Sequence, residues 1–159
     1  MNTAAKTPRS VSPGTVPSGG AILLYDGVCG LCNRLVRFLF ARDRSANLRF
    51  APLQSGFAVK ALVRHGLDPA RVDTVYLMTE PGTAAERMQS KSRAVLAALG
   101  ELGGAWRLAG VLRIIPGPLR DAVYDLVARS RYRVFGRSDR CVLPPPEMRG
   151  RFLDLPEDS

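Results

Sequence analysis

Apolar and polar positions alternate along the chain in a way that separates strands from helices. Ala21-Ile22-Leu23-Leu24-Tyr25 is an unbroken apolar run, the pattern of a strand buried on both faces. Asp26-Gly27 breaks it. From about Cys29 to Arg42 the apolar residues Leu31, Leu35, Phe38 and Leu39 recur at helical spacing, with Arg34, Arg37 and Arg42 between them. Leu48 to Ala51 reads as a second strand ended by Pro52. Phe57 to His65 reads as a helix with Val59, Leu62 and Val63 inward and Gly66 as its stop. Thr74 to Met78 is β-branched and aromatic and reads as a third strand; Glu86 to Gln89, after the Pro81-Gly82 turn, reads as a fourth. Ser92 to Leu102 is a helix with Ala94, Val95, Ala98, Leu99 and Leu102 on one face. A further helix starts near Pro118 and buries Leu119, Val123, Leu126 and Val127. The expected order is β-α-β-α-β-β-α followed by a C-terminal helical segment. That is an α/β layer structure with parallel pairing and an antiparallel edge from the β-turn-β piece. From Tyr132 onward the chain reads as irregular.

The 159 residues suit one domain with a full core, expected over residues 21–155. Residues 1–20 are rich in Ser, Thr, Pro and Gly and cannot bury enough surface to offset their ordering entropy, so they read as a disordered tail. They contain no apolar h-region of a secretory signal, and no stretch approaches the ~20 apolar residues of a membrane span. A cytoplasmic location is therefore expected. The net charge of +9 describes a basic, solvated surface. No nucleic-acid-binding module is visible, so nucleic acid is not an expected partner. The stretch Val111 to Ile115 reads as core, with docking on an anionic surface as its other reading.

Three cysteines are too few, and odd in number, for a disulfide scaffold. In a cytoplasmic protein a close pair is catalytic rather than structural. Cys29 and Cys32 stand where a strand ends, a turn follows and a helix begins. Residues at i and i+3 of a helix lie ~5–6 Å apart at their side-chain bases, close to the separation a disulfide requires. The pair can close and open with little backbone movement. Unpaired N–H groups and the positive end of the dipole at a helix start stabilise a thiolate. Cys29, at the start, is expected to be the exposed nucleophile, and Cys32, one turn in, the more buried resolving thiol.

Asp26 precedes Cys29 by three residues. It reads either as a proton carrier during exchange or as a turn or capping residue. Zinc would need four ligands, usually in two pairs, and Cys141 and His65 stand singly. His65 reads as a helix C-terminal residue and Cys141 as a small core residue. No metal site and no bound cofactor are expected.

The segment Asp26-Gly27-Val28-Cys29-Gly30-Leu31-Cys32-Asn33 resembles the signature of the DCC family of thiol–disulfide oxidoreductases, named for its Asp-x-x-Cys-x-x-Cys motif. Arg49 to Ser55 resembles its second-strand motif and Ser92 to Leu96 the start of its third helix. Pro116 to Tyr124, Ser130-Arg131-Tyr132-Arg133, Cys141 and Arg151-Phe152-Leu153 resemble its C-terminal pattern. The resemblance implies a thioredoxin-like fold, protein-disulfide reductase activity, and roles for Asp26, Cys29 and Cys32 as the motif residues. Thioredoxins carry a cis-proline facing the thiols just before the third strand. Here Val72-Asp73 precedes Thr74, and Pro69 lies several residues earlier. Gln54, Ser55 and Ser92 are candidates for lining the docking surface, with helix caps or turns as the other role of the serines. The expected substrate is a disulfide-containing protein or a small thiol, with an external reductant restoring the dithiol. The other functional readings are a non-catalytic redox-sensing or partner-binding domain and a basic protein docking on a polyanion.

Overall fold

The computed structural model describes residues 19–155. The expected disordered tail, apart from Gly19 and Gly20, lies outside the described residues. Four strands form one sheet in the order β2-β1-β3-β4: β1 (Ala21–Tyr25), β2 (Leu48–Pro52), β3 (Tyr76–Thr79) and β4 (Arg87–Ser90). Only β1 and β2 are parallel; β3 runs antiparallel to both β1 and β4. The α/β order expected from the sequence is present, with parallel pairing confined to the first β-α-β unit. This is the arrangement compatible with a thioredoxin-like fold.

The two-residue period of a strand divides the core. Leu23, Tyr25, Phe50 and Leu77 face one side, against helix α1 (Gly30–Arg42) and helix α3 (Lys91–Glu101). Ile22, Leu24, Ala51 and Met78 face the other, against helix α2 (Gly56–Arg64). β1 is buried at every position, as an unbroken apolar run requires.

Three helix faces differ from expectation. In α2 the buried residues are Ala58, Ala61 and Leu62, whereas Val59 and Val63 are exposed. Both stripes have helical spacing; the alanine stripe faces the sheet because small side chains allow the closer approach. In α1 the deepest residues are Cys32, Val36 and Leu39, with Leu31, Leu35 and Phe38 at the margin.

The largest difference is helix α4 (Gly117–Phe135). Its expected core stripe is in solvent: Leu119, Val123, Leu126 and Val127 are all exposed. The side turned inward carries Asp121, Tyr124, Arg131 and Tyr132, and its polar groups find partners on other elements. Lys91 Nζ donates to Asp125 at 2.9 Å, Arg120 Nε to Ser92 Oγ at 2.8 Å, and Ser92 Oγ bonds Asp121. The Tyr124 hydroxyl accepts from Val75 N at 3.2 Å and pairs with Thr74 Oγ1 at 2.7 Å. Hydrogen bonding, not apolar burial, sets the orientation of α4. Ser92 thus ties α3 to α4 instead of capping a helix, while Ser55 does cap α2, accepting from Ala58 N at 3.2 Å. Val111 to Ile115 also stands in solvent, in the 3-10 stretch Gly104–Ile114 and its end, and not in the core.

The C-terminal segment returns to the sheet. Leu153 N donates to the Phe50 carbonyl at 2.8 Å, and Arg151 Nη1 pairs at 2.8 Å with the fully buried Asp43 carboxylate. The region expected to be irregular therefore includes the last turn of α4, a 3-10 helix at Pro146–Arg151, and Phe152 packed on Phe50.

Candidate active site

Helix α1 begins at Gly30, and Cys29 occupies its N-cap. An N-cap side chain normally uses oxygen to accept from the first free N–H groups. Here the Cys29 sulfur takes that place and accepts from Cys32 N at 3.4 Å. The Cys32 thiol also donates to Cys29, and this bond contributes most to holding the Cys29 pKa down at about 6, against the opposing effect of burial. The Cys32 backbone N–H, the Arg131 guanidinium and the Leu31 backbone N–H act in the same direction. Cys32 is pushed strongly up, first by that same hydrogen bond and then by burial. The pair is reduced and holds one labile and one retained proton.

This division makes stability depend on pH in a specific way. Unfolded thiols titrate near ~8.5. Between about pH 6 and ~8.5 the unfolded chain binds one proton more than the folded pair, so stability rises with pH. Above ~8.5 the unfolded chain has lost both protons while folded Cys32 keeps its own, so stability falls again. Denaturant melts of the reduced protein should show a maximum at pH ~8.5 from this pair. The difference between reduced and oxidised protein should trace that curve, because the disulfide has no proton to lose. A difference that is flat from pH 6 to 10 would contradict the assignment.

Asp26 lies at the end of β1, 6% exposed. Its Oδ1 accepts from Val28 N at 3.2 Å and from Gln54 Nε2 at 3.0 Å. Its Oδ2 accepts from the Tyr132 hydroxyl at 2.5 Å and pairs with Arg131 Nη2 at 3.7 Å. Gln54 completes the clasp by accepting from Gly27 N at 3.1 Å. Asp26 is thus a turn residue, as one reading had it, and also the centre of a buried network linking the motif loop to α4. Asn33 holds the same loop from the helix side, donating to the carbonyls of Gly27 and Cys29 at 2.9 and 3.0 Å.

Arg131 and Tyr132 are the site residues that periodicity did not reveal. Helical spacing alone places Arg131 on a basic, solvated helix, yet it is 5% exposed. It donates to the Asp73 carbonyl and, at 2.9 Å, to Tyr132 Oη, and its Nε is buried without a hydrogen-bond partner among the described residues. The only signal for them was the Ser130-Arg131-Tyr132-Arg133 run within the family resemblance. Asp73, Thr74 and Val75, the residues before β3, are clasped by Arg131 and Tyr124 where a thioredoxin would have its proline.

The expectation of an exposed Cys29 is overturned. Cys29 is 0% exposed and Cys32 6%. The cover is the segment 136–142, which lies along the motif loop. Gly30 N donates to the Gly136 carbonyl at 3.2 Å, Ser138 N to Val28 at 2.9 Å and Val142 N to Gly27 at 3.0 Å, and Cys29 forms a bridge with Arg137. The approach is so close that a Cβ at Gly30 would collide with the Phe135 carbonyl, and one at Gly27 with the Cys141 sulfur. Cys141 is accordingly half-buried against the loop and not part of the core. Cys32 has a separate outlet. It lies in an apolar groove of about 260 Å³ whose walls include Leu31, Leu35, Val95, Val123 and Val127. Among the described residues no three His, Cys, Asp or Glu side chains are grouped to hold a metal ion.

Comparison with known proteins bears on this constellation of two thiols, Asp26 and a helix start. A profile of the DCC1-like thiol-disulfide oxidoreductase family matches residues 23–137. The chain belongs to that family. Two relatives are similar to the chain. A Bacillus subtilis (strain 168) protein named Uncharacterized protein YuxK is 38% identical over 132 residues, covering 83% of this chain and 93% of that protein. The Arabidopsis thaliana protein named DCC family protein At1g52590, chloroplastic, is 40% identical over 123 residues, covering 77% of this chain and 69% of its own length. No solved structure matches. Membership supports a thiol–disulfide redox function in general. No helix among the described residues is long and apolar enough to cross a membrane.

Proposed function

We propose that the domain, taken as residues 21–155, is a protein-disulfide reductase working through Cys29 and Cys32. The observation that carries this reading is the Cys29 sulfur at the N-cap of α1, bonded by both the N–H and the thiol of Cys32. A low-pKa sulfur beside a protonated one is the state from which a dithiol begins exchange.

Once segment 136–142 lifts, the Cys29 thiolate attacks one sulfur of a substrate disulfide. A Cys29–substrate disulfide forms and the other substrate sulfur leaves as a thiolate. Cys32 then gives up its proton, for which buried Asp26 is the proposed acceptor, and attacks the Cys29 sulfur. The Cys29–Cys32 disulfide forms and the second substrate thiolate leaves. Two electrons pass from the dithiol to the substrate, and an external thiol reductant returns them. The reading includes a cytoplasmic location, where the dithiol is the resting form.

A redox-sensing or partner-binding domain is the second reading, favoured by the complete cover over Cys29. A glutathione redox titration read by mass spectrometry separates the two. Catalysis predicts a reversible two-electron couple between roughly −270 and −120 mV, its loss in Cys29→Ser, and slower release of the mixed disulfide in Asp26→Asn. Thiols that stay inert at every poise would rule out exchange.

A further inference from the structure

We infer that the outward face of the 3-10 stretch Gly104–Ile114 and helix α4 docks on the surface of an anionic lipid bilayer. The argument begins with periodicity. In a 3-10 helix, residues i and i+3 eclipse and form straight ridges. One ridge is Leu108, Val111 and Ile114, exposed by 71%, 59% and 82%. The adjacent ridge is Arg107, Gly110 and Arg113, with both arginines exposed. Beyond the turn at Pro116, α4 presents Leu119, Val123 and Leu126 at helical spacing, exposed by 58–68%. Arg129 and Arg133 continue that face, also exposed. The two elements are locked at their junction, where Arg120 Nη1 donates to the carbonyls of Leu112 at 3.3 Å and Ile115 at 3.4 Å. Ridges of large aliphatic side chains left in water on two consecutive elements mark an interaction surface.

Charge selects the occupant. Between residues 102 and 137 the acidic residues are Asp121 and Asp125; Asp121 bonds Ser92, and Asp125, its side chain 38% exposed, is neutralised by an ion pair with Lys91. The charges of the face that no acidic partner neutralises are therefore arginines. A second copy of this chain would set arginine against arginine. The hydroxyl on its edge, Ser130, is spent on the Leu126 and Val127 carbonyls. What remains is branched aliphatic surface flanked by positive charge. Such surfaces bury their apolar side at the acyl boundary while their cations meet acidic headgroups.

Flotation of the full chain with unilamellar vesicles tests the inference. Stronger binding is expected to vesicles containing phosphatidylglycerol than to pure phosphatidylcholine, and it should persist at physiological salt. Leu108→Ser, Ile114→Ser and Leu126→Ser combined should weaken it about tenfold or more. Arg113→Gln with Arg129→Gln should weaken it roughly tenfold to thirtyfold. All five positions are exposed, so thermal melting and Cys29 alkylation should be unchanged, which separates lost docking from lost folding. The inference is overturned by three outcomes. The first is absence of binding to either vesicle. The second is binding that the serine variant retains in full, which would be a non-specific effect of basic charge. The third is a dimer by sedimentation that the serine variant dissolves, which would make the face a contact between copies.

Discussion

Cys32→Ser is expected to stop turnover and to trap substrate on the protein. The serine hydroxyl keeps a donor beside Cys29, and the Cys32 backbone N–H still reaches the Cys29 sulfur, so a thiolate should still form and attack. Serine cannot attack the mixed disulfide in return, so the first half-reaction proceeds and the second does not. Incubation with glutathione disulfide should add one glutathione at Cys29 by mass spectrometry, and exchange should fall by roughly a hundredfold or more. Cys32→Ala removes the donor that contributes most to the low Cys29 pKa. Its adduct should form more slowly at pH 7, with the midpoint of alkylation moved upward from about 6. Adduct at Cys32 in Cys29→Ser, and none at Cys29 in Cys32→Ser, would reverse the two roles.

Gly30→Ala should open the site. The added methyl meets the Phe135 carbonyl and the Gly136 carbonyl beyond it, which are backbone atoms and cannot rotate away. Alanine in place of glycine at a helix position favours the helix by up to ~1 kcal/mol. Forcing apart a packed contact costs about 1–3 kcal/mol, so the net effect is a loss of stability. The clash falls on the segment that covers Cys29, so alkylation of Cys29 should accelerate about tenfold or more as local opening becomes cheaper. Unchanged alkylation at neutral pH would mean that segment 136–142 does not control access.

Several features of this site were readable one residue at a time. The apolar run of β1, the break at Asp26-Gly27 and the i, i+3 cysteines at a helix start depend on neighbours in sequence, and the structure has them in place. The low pKa expected of Cys29 follows from the same local geometry, because the cap is made by residues within three positions of each other. Asp26 was readable as a turn residue but not as a hub, since its partners Gln54 and Tyr132 lie 28 and 106 residues away.

The helix faces show where local reading fails. A periodic stripe states that a helix is amphipathic, and core is the usual destination of the apolar side. In α2 two stripes compete, and the smaller side chains faced the sheet because they allowed the closer approach. In α4 the inner side is fixed by Tyr124, Arg131 and Tyr132, whose buried polar groups find most of their partners on Asp26, just after β1, and on residues 73–75, just before β3. Buried polar groups cost more when left unpaired than exposed aliphatics do, so that network determined which side of α4 met the core. The cover over Cys29 is of the same kind, since residues 136–142 meet the motif loop from more than a hundred positions away in the chain. Sequence by itself determined the strand, the turn, the capped helix and the paired thiols, all set by short-range geometry and helix electrostatics. Tertiary structure decided which thiol is accessible, what Asp26 binds and which apolar face stays in water, because each depends on pairing groups far apart in the chain.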